Sequence, residues 1–212
     1  MRKKLPPPYG LKAFTLSEVL ITLVIIGVIA AITVPTLSAN SRKEETTARL
    51  KKFYSTIQQV TYKAKADGND WDYWAEEAIE SVDNTPATSK EFAEKYVLPY
   101  IVYQSYKTVE NRTYIYLNDG TYFTLKKGNC IDIGIDVNGE KKPNTGGRDK
   151  FLFYYCPKSA LAYTTSKIIP AMGKHIKTRG QALELCKNNR DTCSSLLLFD
   201  GWEFKEDYPY HL

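Results

Sequence analysis

Histidine is nearly missing from this chain, which has only His175 and His211 in 212 residues. No H-E-x-x-H, G-x-S-x-G or phosphate-binding glycine loop occurs, so the usual zinc-protease, esterase and nucleotide-phosphate sites have no residues to build them. His175 lies in a basic stretch and His211 is the penultimate residue. The four cysteines include no C-x-x-C pair and have no zinc-ligand spacing. Internal repeats and low-complexity tracts are absent. These gaps argue against an enzyme.

Charge is also missing where it would be expected. Between Lys12 and Arg42 the only charged residue is Glu18. No acid occurs among the first twelve residues, which carry Arg2, Lys3, Lys4 and Lys12. From Phe14 to Leu37 the chain reads FTLSEVLITLVIIGVIAAITVPTL. As a helix this run is about 36 Å long, enough to cross a hydrocarbon core of about 30 Å. It exceeds the apolar core of an ordinary signal peptide. Basic residues before it keep that end in the cytoplasm and send the rest outward. A carboxylate one turn into such a run is costly and has no use in a plain anchor. Cleavage between Ala13 and Phe14 would create an α-amine four residues before Glu18.

Phe14-Thr15-Leu16-Ser17-Glu18, the basic leader and the small residue Ala13 together resemble the precursor of a type IV pilin or a type II secretion pseudopilin. Gly27 and Pro35 also stand where helices of that family often carry Gly and Pro. Ala13 replaces the usual Gly, and Ser17 replaces an apolar residue. The resemblance covers residues 10 to about 60. It implies cleavage after Ala13, N-methylation of Phe14 and an assembly role for Glu18. It implies an α+β fold, with a long N-terminal helix packed on a small antiparallel β-sheet head. Its expected divisions are a leader at 1–13, a membrane or filament-core helix at 14–37, an amphipathic continuation at 38–67 and a globular head at 68–212. The implied partners are further pilin subunits through their N-terminal helices, a prepilin peptidase, an assembly ATPase and an inner-membrane platform. The implied location is the inner membrane, single-pass, and then a periplasmic or cell-surface filament.

The cysteine count fits an exported domain with disulfides. Cys130, Cys156, Cys186 and Cys193 allow three pairings. Close spacing favours Cys186–Cys193, which leaves Cys130–Cys156. The net charge of +5 hides a partition. Residues 67–94 carry nine acids and one Lys, 126–190 thirteen Lys/Arg and five acids, and 191–212 five acids and one Lys. These are solvated faces or a packing code. The basic segment would carry DNA if the chain were a DNA-uptake pseudopilin, although the basic run has no interleaved stacking aromatics. A membrane-tethered binding domain that never polymerises is the reading from another class.

Leu50, Phe53, Tyr54, Ile57, Val60 and Thr61 follow a one-sided helical stripe, bounded by Gly68. Pro35 should bend the helix. A weak helix is expected from Trp71 to Val82, and a short one from Ser89, as N-cap, to Tyr96. Asn118-Asp119-Gly120 between aromatic and β-branched runs predicts a hairpin. Further strands are expected at 130–137 and 151–155, a helix at 181–188, and a C-terminal hairpin pairing 195–199 with 202–205 across Asp200-Gly201. Asp132, Asp136, Asn138 and Asp149 crowd a polar loop rich in Gly and Asn. Such oxygens suit calcium, and the resemblance adds to that expectation because several pseudopilins bind calcium near their C-terminus.

Overall fold

The computed structural model describes residues 14–72, 86–128, 130–156, 167–172 and 175–210. The leader with Ala13, most of the expected helix ending at Val82, and His211 lie outside the described residues. The chain divides into two compact units, Met1–Ser41 and Arg42–Leu212. Helix α1 (Leu16–Ala66) contributes to both and continues through Pro35.

In the first unit the large apolar side chains are exposed, from 42% at Val19 to 85% at Phe14. Among the described residues α1 is the one helix long and apolar enough to cross a membrane. Two threonine hydroxyls within the apolar run are satisfied internally. Thr22 Oγ1 donates to the Val19 carbonyl and Thr33 Oγ1 to that of Ile29, each at 2.9 Å. That is what a polar group needs in a medium without water.

The second unit is a six-stranded antiparallel meander covered on one face by the second half of α1. The strands are β1 (Ser105–Val109), β2 (Arg112–Tyr116), β3 (Tyr122–Lys127), β4 (Ile131–Asp136), β5 (Lys150–Tyr155) and β6 (Ile168–Pro170), in that spatial order. Strand alternation puts Ile115, Phe123, Leu125, Ile133, Ile135, Phe151 and Phe153 inside. Leu50, Phe53, Ile57, Val60 and Ala64 meet them from the helix, all buried. The Phe53 ring centroid is 5.2 Å from that of Phe123 and 6.2 Å from that of Phe153. The arrangement is the expected α+β, pilin-like one.

Two glycines stop helices in the same way. At the end of α1, Gly68 has φ 79°. Its N–H donates to Lys65 O, while Asn69 N–H reaches Ala64 O at 2.8 Å. At the other place the expected C-terminal hairpin is overturned. Residues 193–199 form helix α4 (Cys193–Phe199), and 202–205 form no strand. Gly201, with φ 67°, donates to Leu198 O, and Trp202 N–H donates to Leu197 O at 2.6 Å. This is the paired 5→2 and 6→1 closure of a helix C-terminus. Asp-Gly here caps a helix whose Leu196 and Leu197 fill the core.

Helix α2 (Pro86–Phe92) continues into a π turn at Ala93–Val97 and a 3-10 turn at Leu98–Tyr100. Ser89 is inside α2 and is not its N-cap. Its buried hydroxyl donates to Asn111 O at 2.9 Å and accepts from Lys127 N at 3.2 Å, tying the helix to the sheet. Helix α3 (Arg179–Asn188) starts on Thr178 with a reciprocal cap from Gln181. Disulfides join Cys186 in α3 to Cys193 at the start of α4, and Cys130 to Cys156 just outside the Ile131–Tyr155 pair.

Candidate functional site

The start of α1 is built by two side chains. The Glu18 backbone N–H donates to Thr15 Oγ1 at 3.2 Å, and the Thr15 N–H donates back to Glu18 Oε2 at 2.9 Å. Thr15 Oγ1 also donates to Oε2 at 2.8 Å. This is a capping box, with Thr15 as N-cap and Glu18 as the third helical residue. The sequence pattern Thr-x-x-Glu carries that signal, yet the expectation above assigned Glu18 only to an amine. All three bonds end on one oxygen or on Thr15. Among the described residues Glu18 Oε1 has no partner. Phe14, four residues earlier, is 85% exposed.

The four residues expected to hold calcium do not all meet. Asp136, Asn138 and Asp149 gather where the chain leaves β4. Asp132 lies on the outer sheet face beside Arg112, Tyr114 and Tyr154, in a groove that Asp136 reaches from farther along β4 but that neither Asn138 nor Asp149 lines. Strand geometry separates them, because Asp132 and Asp136 are four residues apart on one extended strand. Among the described residues no three His, Cys, Asp or Glu side chains cluster for a metal. The remaining trio fits a hard cation in part. Asp136 Oδ2 and Asn138 Oδ1 are buried and accept no hydrogen bond. Asp149 accepts from Asn138 Nδ2 at 3.0 Å and Asn144 N at 2.7 Å. These three would hold the ion, which would neutralise two adjacent carboxylates. Burial, and then the charge of Asp149, push Asp136 up to about 6, against the pull of Lys150. Lys150 Nζ stands 3.7 Å from Asp136 Oδ2.

Among the described residues the basic 126–190 segment does not form one stripe. Lys127 is buried, and Lys150 faces Asp136. Arg179 is gripped by Asp200 and Asp207, each through two of its nitrogens. That pairing joins the basic segment to the acidic C-terminal one, so part of the charge partition is internal to the head. The outer sheet face does interleave aromatics with cations. Lys107 Nζ lies 5.8 and 5.2 Å from the ring centroids of Tyr114 and Tyr116, and Tyr122 packs between those two rings. Sequence spacing hid this face, because it is assembled from three strands.

A family model described as a prokaryotic N-terminal methylation motif matches residues 12–34, the prepilin-type signal of type IV pilins and pseudopilins. A second, described as a family of unknown function (DUF6613), matches residues 36–212. Neither a curated protein nor a solved structure matches the chain.

Proposed function

Since the chain belongs to the family of unknown function DUF6613 and carries an N-terminal methylation motif, making it a pilin-like or pseudopilin subunit, we propose that it acts by polymerising. In this reading a prepilin peptidase cuts between Ala13 and Phe14 and Phe14 is N-methylated. The apolar helix waits in the inner membrane with the head outside, then packs against its copies and other pilins in a filament core. An inner-membrane platform drives that transfer. The reading is of a structural subunit with no catalytic role.

The observation that carries it is the conjunction at the helix start. The apolar surface after Phe14 is exposed all round. A single carboxylate interrupts it, held by Thr15 through Oε2 with Oε1 left open. An anchor needs only the apolar surface. A carboxylate held at a fixed height fits a helix that must take a defined axial register against a neighbour carrying an α-amine. In a low-dielectric filament core that pair is strong, and leaving it unmade is costly.

The test is mass spectrometry of the protein from cells with and without the peptidase. A mature chain beginning at N-methyl-Phe14 is expected. An intact Met1, or a start near Ala39, overturns the processing step. Electron microscopy of sheared filaments, labelled for the head, then tests polymerisation.

A further inference from the structure

A cavity of about 260 Å³ opens between the first residues of the head unit and the loop after β4. Arg42, Arg49, Lys141, Lys142 and Arg148 line it, with Glu45 and Asp149 as the only acids among the described residues. Both acids are already engaged. Glu45 pairs with Arg49 at 2.7 Å. Asp149 takes the Asn138 amide and the backbone N–H groups of Asn144 and Thr145. Arg49 also donates to Val137 O at 2.9 Å. Among the described residues no carboxylate pairs with Arg42, Lys141, Lys142 or Arg148. The Arg148 Nε–H is buried and donates to nothing. Buried donors are rarely left so without a ligand to meet them. Four uncompensated cations around one small concavity, two of them guanidinium forks, select an anion with several oxygens. Phosphate is the natural match.

The chain itself indicates the source of that phosphate. Arg42 follows Leu37, the end of the apolar run, by five residues. Five residues reach at most about 18 Å in any conformation. Wherever the run ends at the edge of the hydrocarbon, Arg42 and its cavity stay within reach of the headgroup layer. We propose that this cavity binds the phosphate of an anionic phospholipid headgroup and so holds the head against the bilayer until the subunit leaves it. The proposal rests on the reading that residues 14–37 lie in a bilayer before assembly.

The full-length protein is reconstituted into vesicles of phosphatidylcholine alone, and of phosphatidylcholine with increasing phosphatidylglycerol. Flotation reports the anchor. Hydrogen exchange at the backbone amides of residues 138–149 reports the cavity. Flotation is expected with both lipids, and slowed exchange only with phosphatidylglycerol. Arg148→Gln, and separately Lys141→Gln with Lys142→Gln, should each weaken the dependence on phosphatidylglycerol about fivefold per cation removed. The lysines are exposed, so their variant keeps the test valid should Arg148→Gln unfold. Equal exchange in both lipids with flotation intact overturns the cavity, as does a wild-type response in the lysine variant. Loss of flotation overturns the bilayer reading and the proposal with it. A third arm adds inorganic phosphate to phosphatidylcholine vesicles. Equal protection there identifies a free-anion site and overturns the lipid assignment.

Discussion

Thr15 and Glu18 close the start of α1 on each other, with the Thr15 hydroxyl 2.8 Å from Glu18 Oε2. Substitutions can separate this capping role of the carboxylate from the proposed register contact. Thr15→Ala removes the cap and should cost about 1 kcal/mol of helix stability while assembly persists. Glu18→Gln keeps a capping oxygen but loses the charge. It should insert and be cleaved nearly as well as wild type, yet fail to form filaments. Glu18→Val should behave like Glu18→Gln, despite making a more apolar anchor. Filaments counted at matched subunit levels decide the matter. Normal assembly by both Glu18 variants removes the register contact.

The two disulfides close loops of different size, with sequence separations of 26 for Cys130–Cys156 and 7 for Cys186–Cys193. Chain entropy alone makes loss of the larger loop costlier by about 1 kcal/mol. Paired serine variants of the full chain, unfolded in urea, should rank in that order. The reverse order would show that packing around α3 and α4 outweighs loop entropy.

Asp136 is buried and pushed up to about 6, above its unfolded value of about 3.9. The native form therefore holds a proton between about pH 4 and 6 that the unfolded chain has lost. Stability from this group falls as pH rises through that window, and the penalty is complete above about pH 6. With chelator present, Asp136→Asn should gain on wild type above pH 6 by up to about 3 kcal/mol and not at all below pH 4. Urea unfolding across that range reads the difference, and a flat one counts against an ionisable, buried Asp136. Added calcium at neutral pH should stabilise wild type and leave Asp136→Asn unchanged. An equal response in both removes the metal from this corner.

Gly147 and Gly68 separate backbone strain from steric fit. Both have positive φ, 75° and 79°. A Cβ at Gly68 meets nothing within 4 Å, whereas at Gly147 it meets the Tyr210 ring at 2.8 Å and Cys193 Sγ at 3.0 Å. Gly68→Ala should cost about 1 kcal/mol, and Gly147→Ala about 1–3 kcal/mol more. Equal melting points for the two variants would mean that the Tyr210 ring moves aside freely.

The sequence alone determined the features that depend on neighbours along the chain. The apolar run, its lone acid and the leader charges are local patterns, and the prepilin-type signal was legible from them. So were the buried stripe from Leu50 to Val60 and the Asp119-Gly120 hairpin, because periodicity and turn chemistry need only a few adjacent residues. Tertiary structure decided whatever depends on distant partners. Ser195 to Phe199 reads as a strand in the sequence, because a short apolar run before Asp-Gly carries no period that marks a helix. It became α4 because Leu196 and Leu197 have a core to fill and Cys193 is tied to α3. Ser89 looked like a cap until the β1–β2 turn at Asn111 and strand β3 at Lys127 claimed its hydroxyl. Asp132 left the other acids because a strand carried it away. The cavity of Arg42, Lys142 and Arg148 joins residues about a hundred positions apart, and no local pattern encodes such a meeting.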